Sequence, residues 1–336
     1  MQKPVVVVTN RIFPETEALL AAHARIIVNR ADEPWSPEEV QARCREADAM
    51  LAFMTDQVDA AFLAGCPRLK VVGAALKGYD NIDVAAAERA GVWVTIVPDL
   101  LTVPTAELAI GLMLSLGRHI AAADRSIRDN GFRGWRPAFY GRGIAESTVG
   151  IIGFGQVGQA IAARLAGFGC TLLASDVRGV TAGETLAHQV TPSTLTDILA
   201  ASDYAVLALP LTSATLHVID RKAIAAMKPG ALLINPARGS LVDEVAVADA
   251  LETGQLGGYA ADAFQCEDWA RTDRPADIDG RLVRAGARTV LTPHIGSAVA
   301  GVRRDIELSA ARNIVAVLSG RTPDKAVNRP LSPRRC

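Results

Sequence analysis

The run Gly153-Phe154-Gly155-Gln156-Val157-Gly158 constrains this chain more than any other feature. Alone, G-x-G-x-x-G is a weak signal, because glycine-rich turns are common. Its flanks make it specific. The apolar run Val149-Gly150-Ile151-Ile152 precedes it as a strand, and a helical pattern follows over Gln156–Phe168. Asp176 ends the next strand, Thr171–Ser175, eighteen residues after Gly158. Each glycine has a separate physical reason. Gly153 permits the tight turn, Gly155 lets the backbone approach a pyrophosphate, and Gly158 lets helix and strand pack closely. The helix N-terminus supplies N–H donors and a partial positive charge for phosphate.

The motif therefore predicts a dinucleotide site. Asp176 is placed to hydrogen-bond the ribose hydroxyls of NAD and to repel the 2′-phosphate of NADP, so NAD is the expected cofactor. Arg178 tempers that preference, since an arginine there can partly accommodate the phosphate.

The rest of the chain fits an α/β protein. Strands at Pro4–Thr9, Arg25–Val28, Ala49–Phe53, Leu69–Ala75 and Val92–Val97 alternate with helical stretches. One of these opens on a capping Ser36 followed by Pro37 at the first helical position. A long apolar-rich helix runs from Thr102 to about Arg118, and a second alternating block begins at Ser147. Strand–helix alternation implies doubly wound parallel sheets covered on both faces. At 336 residues the chain is long enough for two such domains. The first block lacks a glycine fingerprint and the second has one, which implies a substrate-facing domain, a cofactor-holding domain and a cleft between them. A helix is expected over Ala298–Ser319, and the proline-bearing tail from Arg321 reads as a loosely held end.

Composition excludes some functions. Half the residues are apolar, and 35 basic residues balance 36 acidic ones, which argues against a nucleic-acid binder acting through bulk charge. The five cysteines contain no C-x-x-C, so neither a zinc site nor a disulfide framework is expected, and reduced thiols in a cytoplasm are the plain reading. The four-valine run at the N-terminus is too short for a signal peptide, and Leu108–Leu116 is too short to span a bilayer.

A base working near neutral pH is most often histidine. His23 and His119 sit in helical patterns, His188 in a polar stretch, and His217 is expected to pack near the cofactor. His294 differs, because it follows the strand Thr289–Pro293, at the kind of strand end where such sheets bind ligands. Arg238, after Leu232–Ala237, and Glu267, after Tyr259–Phe264, occupy equivalent places.

With Asn235-Pro236-Ala237-Arg238-Gly239-Ser240, the later acid and Thr292-Pro293-His294 in view, the chain resembles the D-2-hydroxyacid dehydrogenase family over essentially its whole length. The resemblance implies two flavodoxin-like or Rossmann-like domains, usually in a homodimer. Residues 1–100 plus 297–336 would form the substrate-binding domain and residues 101–296 the NAD-binding domain. It implies Arg238, Glu267 and His294 as the catalytic set, with Glu267 orienting the imidazole and favouring its charged form. It also implies cofactor contacts from Gly153, Gly155, Gln156, Val157, Gly158, Asp176, Ala208, Leu209, Pro210, Pro236, Ala237, Arg238, Asp262, Thr105 and His294. No metal is expected. The long helix from Pro104 is the candidate dimer contact.

A narrower resemblance, to the phosphite (phosphonate) dehydrogenase branch, rests on Ala52–Asp56, Leu76–Asn81, Val97–Thr102, Gly134–Pro137 with Phe139–Gly141, and Glu267–Arg271. Gln265 stands where that branch leads one to expect an acid, and Thr55 where one expects proline. The likeness implies oxidation of phosphite to phosphate, with Lys77, Gly78, Arg238 and His294 on the substrate. Met54 and Trp135 would shape the wall, Tyr140 would add a polar edge, and Arg303 would reach the pocket. Charge agrees: phosphite is largely a dianion near neutral pH, and Lys77 adds a second cation to Arg238. Two other readings are open. One is a D-2-hydroxyacid dehydrogenase of the glycerate or glyoxylate type. The other is a non-catalytic NAD(H)-sensing regulator, which would need no base.

Overall fold

The computed structural model describes residues 3–181 and 189–334. The chain divides into two compact units. The first is Met1–Leu101 with Trp269–Thr272 and Ser297–Cys336, and the second is Thr102–Asp268 with Asp273–Gly296. The excursion of Trp269–Thr272 into the first unit departs from the expected boundaries. Both units are Rossmann-like α/β domains built on parallel sheets.

In the first unit, strands β1 (Val5–Val8), β2 (Arg25–Val28), β3 (Ala49–Ala52), β4 (Val71–Ala74) and β5 (Trp93–Thr95) form a sheet in the order β2-β1-β3-β4-β5. Every pair is parallel. Successive strand residues point to opposite faces, and a sheet covered on both sides buries them all, so β1 reads as four valines. Val5 and Val7 pack with α2 (Pro37–Cys44), α3 (Ala60–Gly65) and α4 (Val84–Arg89). Val6 and Val8 face α1 (Pro14–His23) and a long C-terminal helix over Ala300–Leu318. The predicted cap on α2 forms as a reciprocal box: the Ser36 hydroxyl accepts the Glu39 N–H, and Glu39 accepts the Ser36 N–H.

The tail after Arg321 is tied down, contrary to expectation. β5 is the edge strand, and the tail satisfies its open side. Asn328 accepts the Val94 N–H at 2.9 Å and donates to the Val92 carbonyl at 2.8 Å. Val327 N–H donates to Val94 O, and the Arg334 guanidinium donates to the carbonyls of Cys66 and Leu69.

The second unit begins with α5 (Thr102–Gly117) and α6 (Ile120–Asn130), then carries β6 (Thr148–Ile152), α7 (Gln156–Leu165), β7 (Thr171–Ser175) and β8 (Val190–Pro192). Next come α8 (Leu195–Ala201), β9 (Tyr204–Leu207), α9 (Arg221–Ala225), β10 (Ala231–Asn235) and α10 (Glu244–Thr253). β11 (Leu256–Ala261), α11 (Gly280–Arg284) and β12 (Thr289–Leu291) complete it, and the C-terminal helix Ala300–Leu318, α12, belongs to the first unit. The sheet order is β12-β11-β10-β9-β6-β7-β8, again parallel throughout. The order reverses between β6 and β9, which is where open α/β sheets bind ligands.

On α5, Ala106, Ala109, Leu112, Met113 and Leu116 are buried in the core of the second unit. Six exposed large apolar residues fall on α6 and the loop after it: Ile120, Ile127, Phe132, Trp135, Phe139 and Tyr140. Among the described residues no single helix is long and apolar enough to cross a membrane.

The edge closure is testable. Asn328→Leu strands a buried N–H and a buried carbonyl on β5, and should cost about 1–3 kcal/mol. An unchanged urea midpoint would show that the tail contributes nothing to the edge.

Candidate active site

The second unit holds the fingerprint at the sheet's reversal. Gly153 has φ +94°, and a Cβ there would lie 2.5 Å from the Ala208 carbonyl. A Cβ on Gly158 would lie 2.2 Å from the Gly153 carbonyl, so only glycine permits this closeness of helix and strand. Gly155 is the N-cap of α7, and no side chain caps that terminus. A Cβ on Gly155 would meet nothing nearer than the Arg178 guanidinium at 3.5 Å. An uncapped helix start beneath a bare glycine surface fits a pyrophosphate, with Gln156 and Val157 in its first turn. Ala208 N–H donates to Ile152 O, and Leu209 and Pro210 follow at the end of β9.

Asp176 accepts the backbone N–H groups of Phe154 and Arg178, both at 2.9 Å, and the Arg178 side chain at 3.3 Å. Partial burial pushes its carboxyl up, but these donors outweigh that and hold it below the usual range. The position thus carries a full negative charge in the working pH range.

Three loops at the carboxyl ends of β10, β11 and β12 bring Arg238, Glu267 and His294 into this same unit. After β10, the fully buried Asn235 organises the turn: its side chain accepts the Ala237 N–H at 3.1 Å and donates to the Arg238 carbonyl at 2.8 Å. Pro236, Ala237 and Arg238 fold around it. After β11, the Phe264 N–H donates to one Glu267 oxygen at 2.6 Å. The other Glu267 oxygen lies 2.7 Å from His294 Nδ1. With Nδ1–H donated to the carboxylate, Nε2 is left with a lone pair for a substrate proton. His294 has φ 54°, a left-handed conformation rare outside glycine, in a turn that follows β12 directly.

Asp262 holds that turn in place. It is 1% exposed. Its carboxylate accepts from the Thr292 hydroxyl at 2.6 Å, the Ile295 N–H at 2.8 Å and the Gly296 N–H at 2.7 Å. Burial pushes its pKa up against these donors. Its carboxylate is turned on the His294 loop. Thr105 flanks the same loop, with its hydroxyl 3.5 Å from where a Gly296 Cβ would lie.

Other expected residues belong to the first unit. Met54 follows β3, and Lys77 and Gly78 follow β4. The turn carrying Met54 is built on buried Asp56, which accepts the Thr9 hydroxyl and the Phe53 N–H, while Asn81 donates to the Asp56 and Phe53 carbonyls. Burial pushes the Asp56 carboxyl up to about 6. Burial also lowers the Lys77 pKa, against the attraction of Asp99. Arg303, on α12, donates to Ala75 O at 3.5 Å and Ser297 Oγ at 3.4 Å, and stands over the Phe53 ring at 5.7 Å. It thus sits beside the end of β4, as Lys77 does.

Trp135 and Tyr140 lie on the loop after α6. They are 79% and 76% exposed, so within their own unit they form no wall of a pocket. Sequence reasoning also passed over Asn235, the Asp262 clasp, and the contact of His217 with Gln265, whose Nε2 atoms lie 2.7 Å apart. The one available signal was the unexpected amide at 265.

Residues 110–296 match the NAD-binding domain of the D-isomer-specific 2-hydroxyacid dehydrogenases. A glyoxylate reductase of Thermococcus onnurineus is 35% identical over 333 residues, spanning 97% of this chain and 96% of that one. A glyoxylate reductase of Pyrococcus horikoshii is 36% identical, again over 97% and 96%. A putative D-isomer-specific 2-hydroxyacid dehydrogenase of Polaromonas superposes with a TM-score of 0.86 at 30% identity, covering 98% of this chain and all of that one. The chain therefore belongs to the D-isomer-specific 2-hydroxyacid dehydrogenase family. It is an NAD-dependent oxidoreductase, and its second unit is the NAD-binding domain.

Asp176→Ala removes the charge that opposes a 2′-phosphate and releases Arg178 from its carboxylate partner. The ratio of kcat/KM with NAD⁺ to that with NADP⁺ should fall by about tenfold or more, the scale of one lost ionic repulsion. A ratio that holds would show that Asp176 does not set cofactor choice.

Proposed function

We propose that the enzyme oxidises phosphite to phosphate with NAD⁺. Lys77 carries this reading. Half-buried in the Leu76-Lys77-Gly78 turn, it has an ammonium that burial disfavours. A bound anion would favour the charged form, and perturbed cations of this kind gather at ligand sites. A monoanionic carboxylate needs one arginine and backbone N–H groups. A dianion suits a second cation, and charge-assisted bonds to its oxygens are about twice as strong as neutral ones.

Each chain group then has a task. Gly153, Gly155, Gln156, Val157 and Gly158 would hold the pyrophosphate, Asp176 the ribose, and Thr105, Ala208, Leu209, Pro210, Pro236 and Ala237 the remainder. When bound, NAD⁺ accepts the hydride. Lys77 and Arg238 would bind the phosphite oxygens, with Arg303, Met54 and Gly78 beside Lys77. His294 would take a proton from the water whose oxygen adds to phosphorus as the P–H bond breaks. Phosphite, water and NAD⁺ thus yield phosphate, NADH and one proton. Glu267 would hold the imidazole and stabilise its cation.

The relatives' names favour a second reading over this one, a 2-hydroxyacid dehydrogenase of the glyoxylate type with the same Arg238, Glu267 and His294 roles. Assays with phosphite and NAD⁺, and with glyoxylate and NADH, separate the two. Turnover of glyoxylate alone would end the phosphite reading. Under that reading, Lys77→Ala should raise the phosphite KM at least about tenfold while NAD⁺ affinity holds. His294→Ala should lower kcat by about 100-fold or more, the range for a lost general base.

We also propose that two copies pair through α6 and the loop after it, since six large apolar side chains are exposed within residues 120–140. Phe132→Glu with Trp135→Glu should shift the mass in light scattering from dimer to monomer. A wild-type chain that is already monomeric would refute the pairing.

A further inference from the structure

We propose that Gln265 is a positioning residue whose side-chain amide clasps the Arg238 loop to the Glu267 loop, with His217 on one side and Glu244 on the other. The inference rests on the assignment of Arg238 and Glu267 to the reaction. It says what holds them at a fixed separation.

The contacts form one chain. Gln265 Oε1 accepts the Glu244 N–H at 3.2 Å, and the Gln265 N–H donates to Glu244 Oε1 at 2.8 Å. Gln265 Nε2 lies 2.7 Å from His217 Nε2. The His217 N–H donates to the Ser240 carbonyl at 2.8 Å, and the Ser240 N–H donates to Asp268 Oδ2 at 2.7 Å. Ser240, two residues beyond Arg238, is thus held through its carbonyl by His217 and through its N–H by the residue after Glu267. Between them, Gly239 lies so close to Phe264 and Gln265 that a Cβ would fall within bonding distance of their backbone.

Hydrogen-bond logic fixes the amide's orientation. The Glu244 N–H needs an acceptor, so the Gln265 oxygen must face it, and the NH₂ group must face His217. A donor there pairs with His217 Nε2 as an acceptor, the tautomer that carries its proton on Nδ1. The surroundings also explain why an amide stands where an acid was expected. Glu244 is 2% exposed and burial pushes its carboxyl up to about 7, with Asp268, Asp279 and Glu267 adding to that. A carboxylate at 265 would add further negative charge to this group and could donate nothing to the imidazole.

The test uses Q265M, which keeps volume and removes both side-chain bonds, with H217L and the double variant. Hydrogen exchange on the free protein should accelerate together in segments 236–242 and 264–268 of Q265M, and remain unchanged at 153–160. This readout involves no substrate, so it judges the clasp whichever oxyanion the enzyme uses. Kinetics are read with phosphite and with glyoxylate, and failure of one removes that substrate from the proposed function only. On the substrate that is turned over, Q265M should lose about 10–100-fold in kcat, the scale of a displacement near 1 Å. KM should change less than kcat, and NADH affinity should hold. The double variant should lose no more than the worse single one, because both break one chain. If Q265M does not fold, H217L carries the same exchange and kcat tests. Exchange that accelerates in 264–268 alone, wild-type kcat, or additive losses would each overturn the proposal.

Discussion

Parallel strands that end on one edge impose a constraint on everything built there. No hairpin can close the turns, so the backbone N–H groups beyond each strand need acceptors that the sheet does not supply. Here side chains supply them. Asn235 holds the turn after β10, Glu267 the turn after β11, Asp262 the turn after β12, and Asp56 the turn after β3. Arg238 and His294 stand on loops that these groups shape. The same edge therefore yields both the site and the means of keeping it rigid. Loops held by buried acceptors lose little further freedom when a ligand binds.

This arrangement separates two kinds of acid. Glu267 spends one oxygen on its own loop and the other on His294, so it joins scaffold and chemistry in one carboxylate. Asp262, fully enclosed, gives both oxygens to the backbone and hydroxyl of the His294 loop. Loss of either would displace the imidazole, but only loss of Glu267 would also remove the charge behind it. Sequence position alone does not distinguish them, since each simply follows a strand of small and apolar residues.

That limit shows how far the residues could be read in order. The fingerprint, the buried valine strand and the α2 cap are local, set by neighbours within a few positions, and they stand where their patterns put them. β8 and α6 escaped notice. β8 is a three-residue edge strand, and α6 is too polar on average to separate from a loop. The tail misled for a physical reason: its prolines and charges resemble a free end, but Asn328 pairs across 234 residues with an open strand. Likewise, the apolar stripe of α5 suits a core as well as an interface, and the packed structure shows which of its residues enter the core.

Charge bears most directly on the substrate. Family membership accounts for NAD-dependent hydride transfer, and both proposed substrates, a carboxylate and a phosphorus oxyanion, call on the same arginine, glutamate and histidine. Lys77 and Arg303 are the groups that need explaining, because burial works against the charge on each. Arg303 has Glu307 at 3.8 Å to offset that cost. Lys77 has the attraction of Asp99 opposing its desolvation, and for both groups the shift remains downward. On the proposed reading, a doubly charged ligand would offset the desolvation of Lys77 more than a singly charged one would, because the Coulomb attraction scales with the ligand's charge.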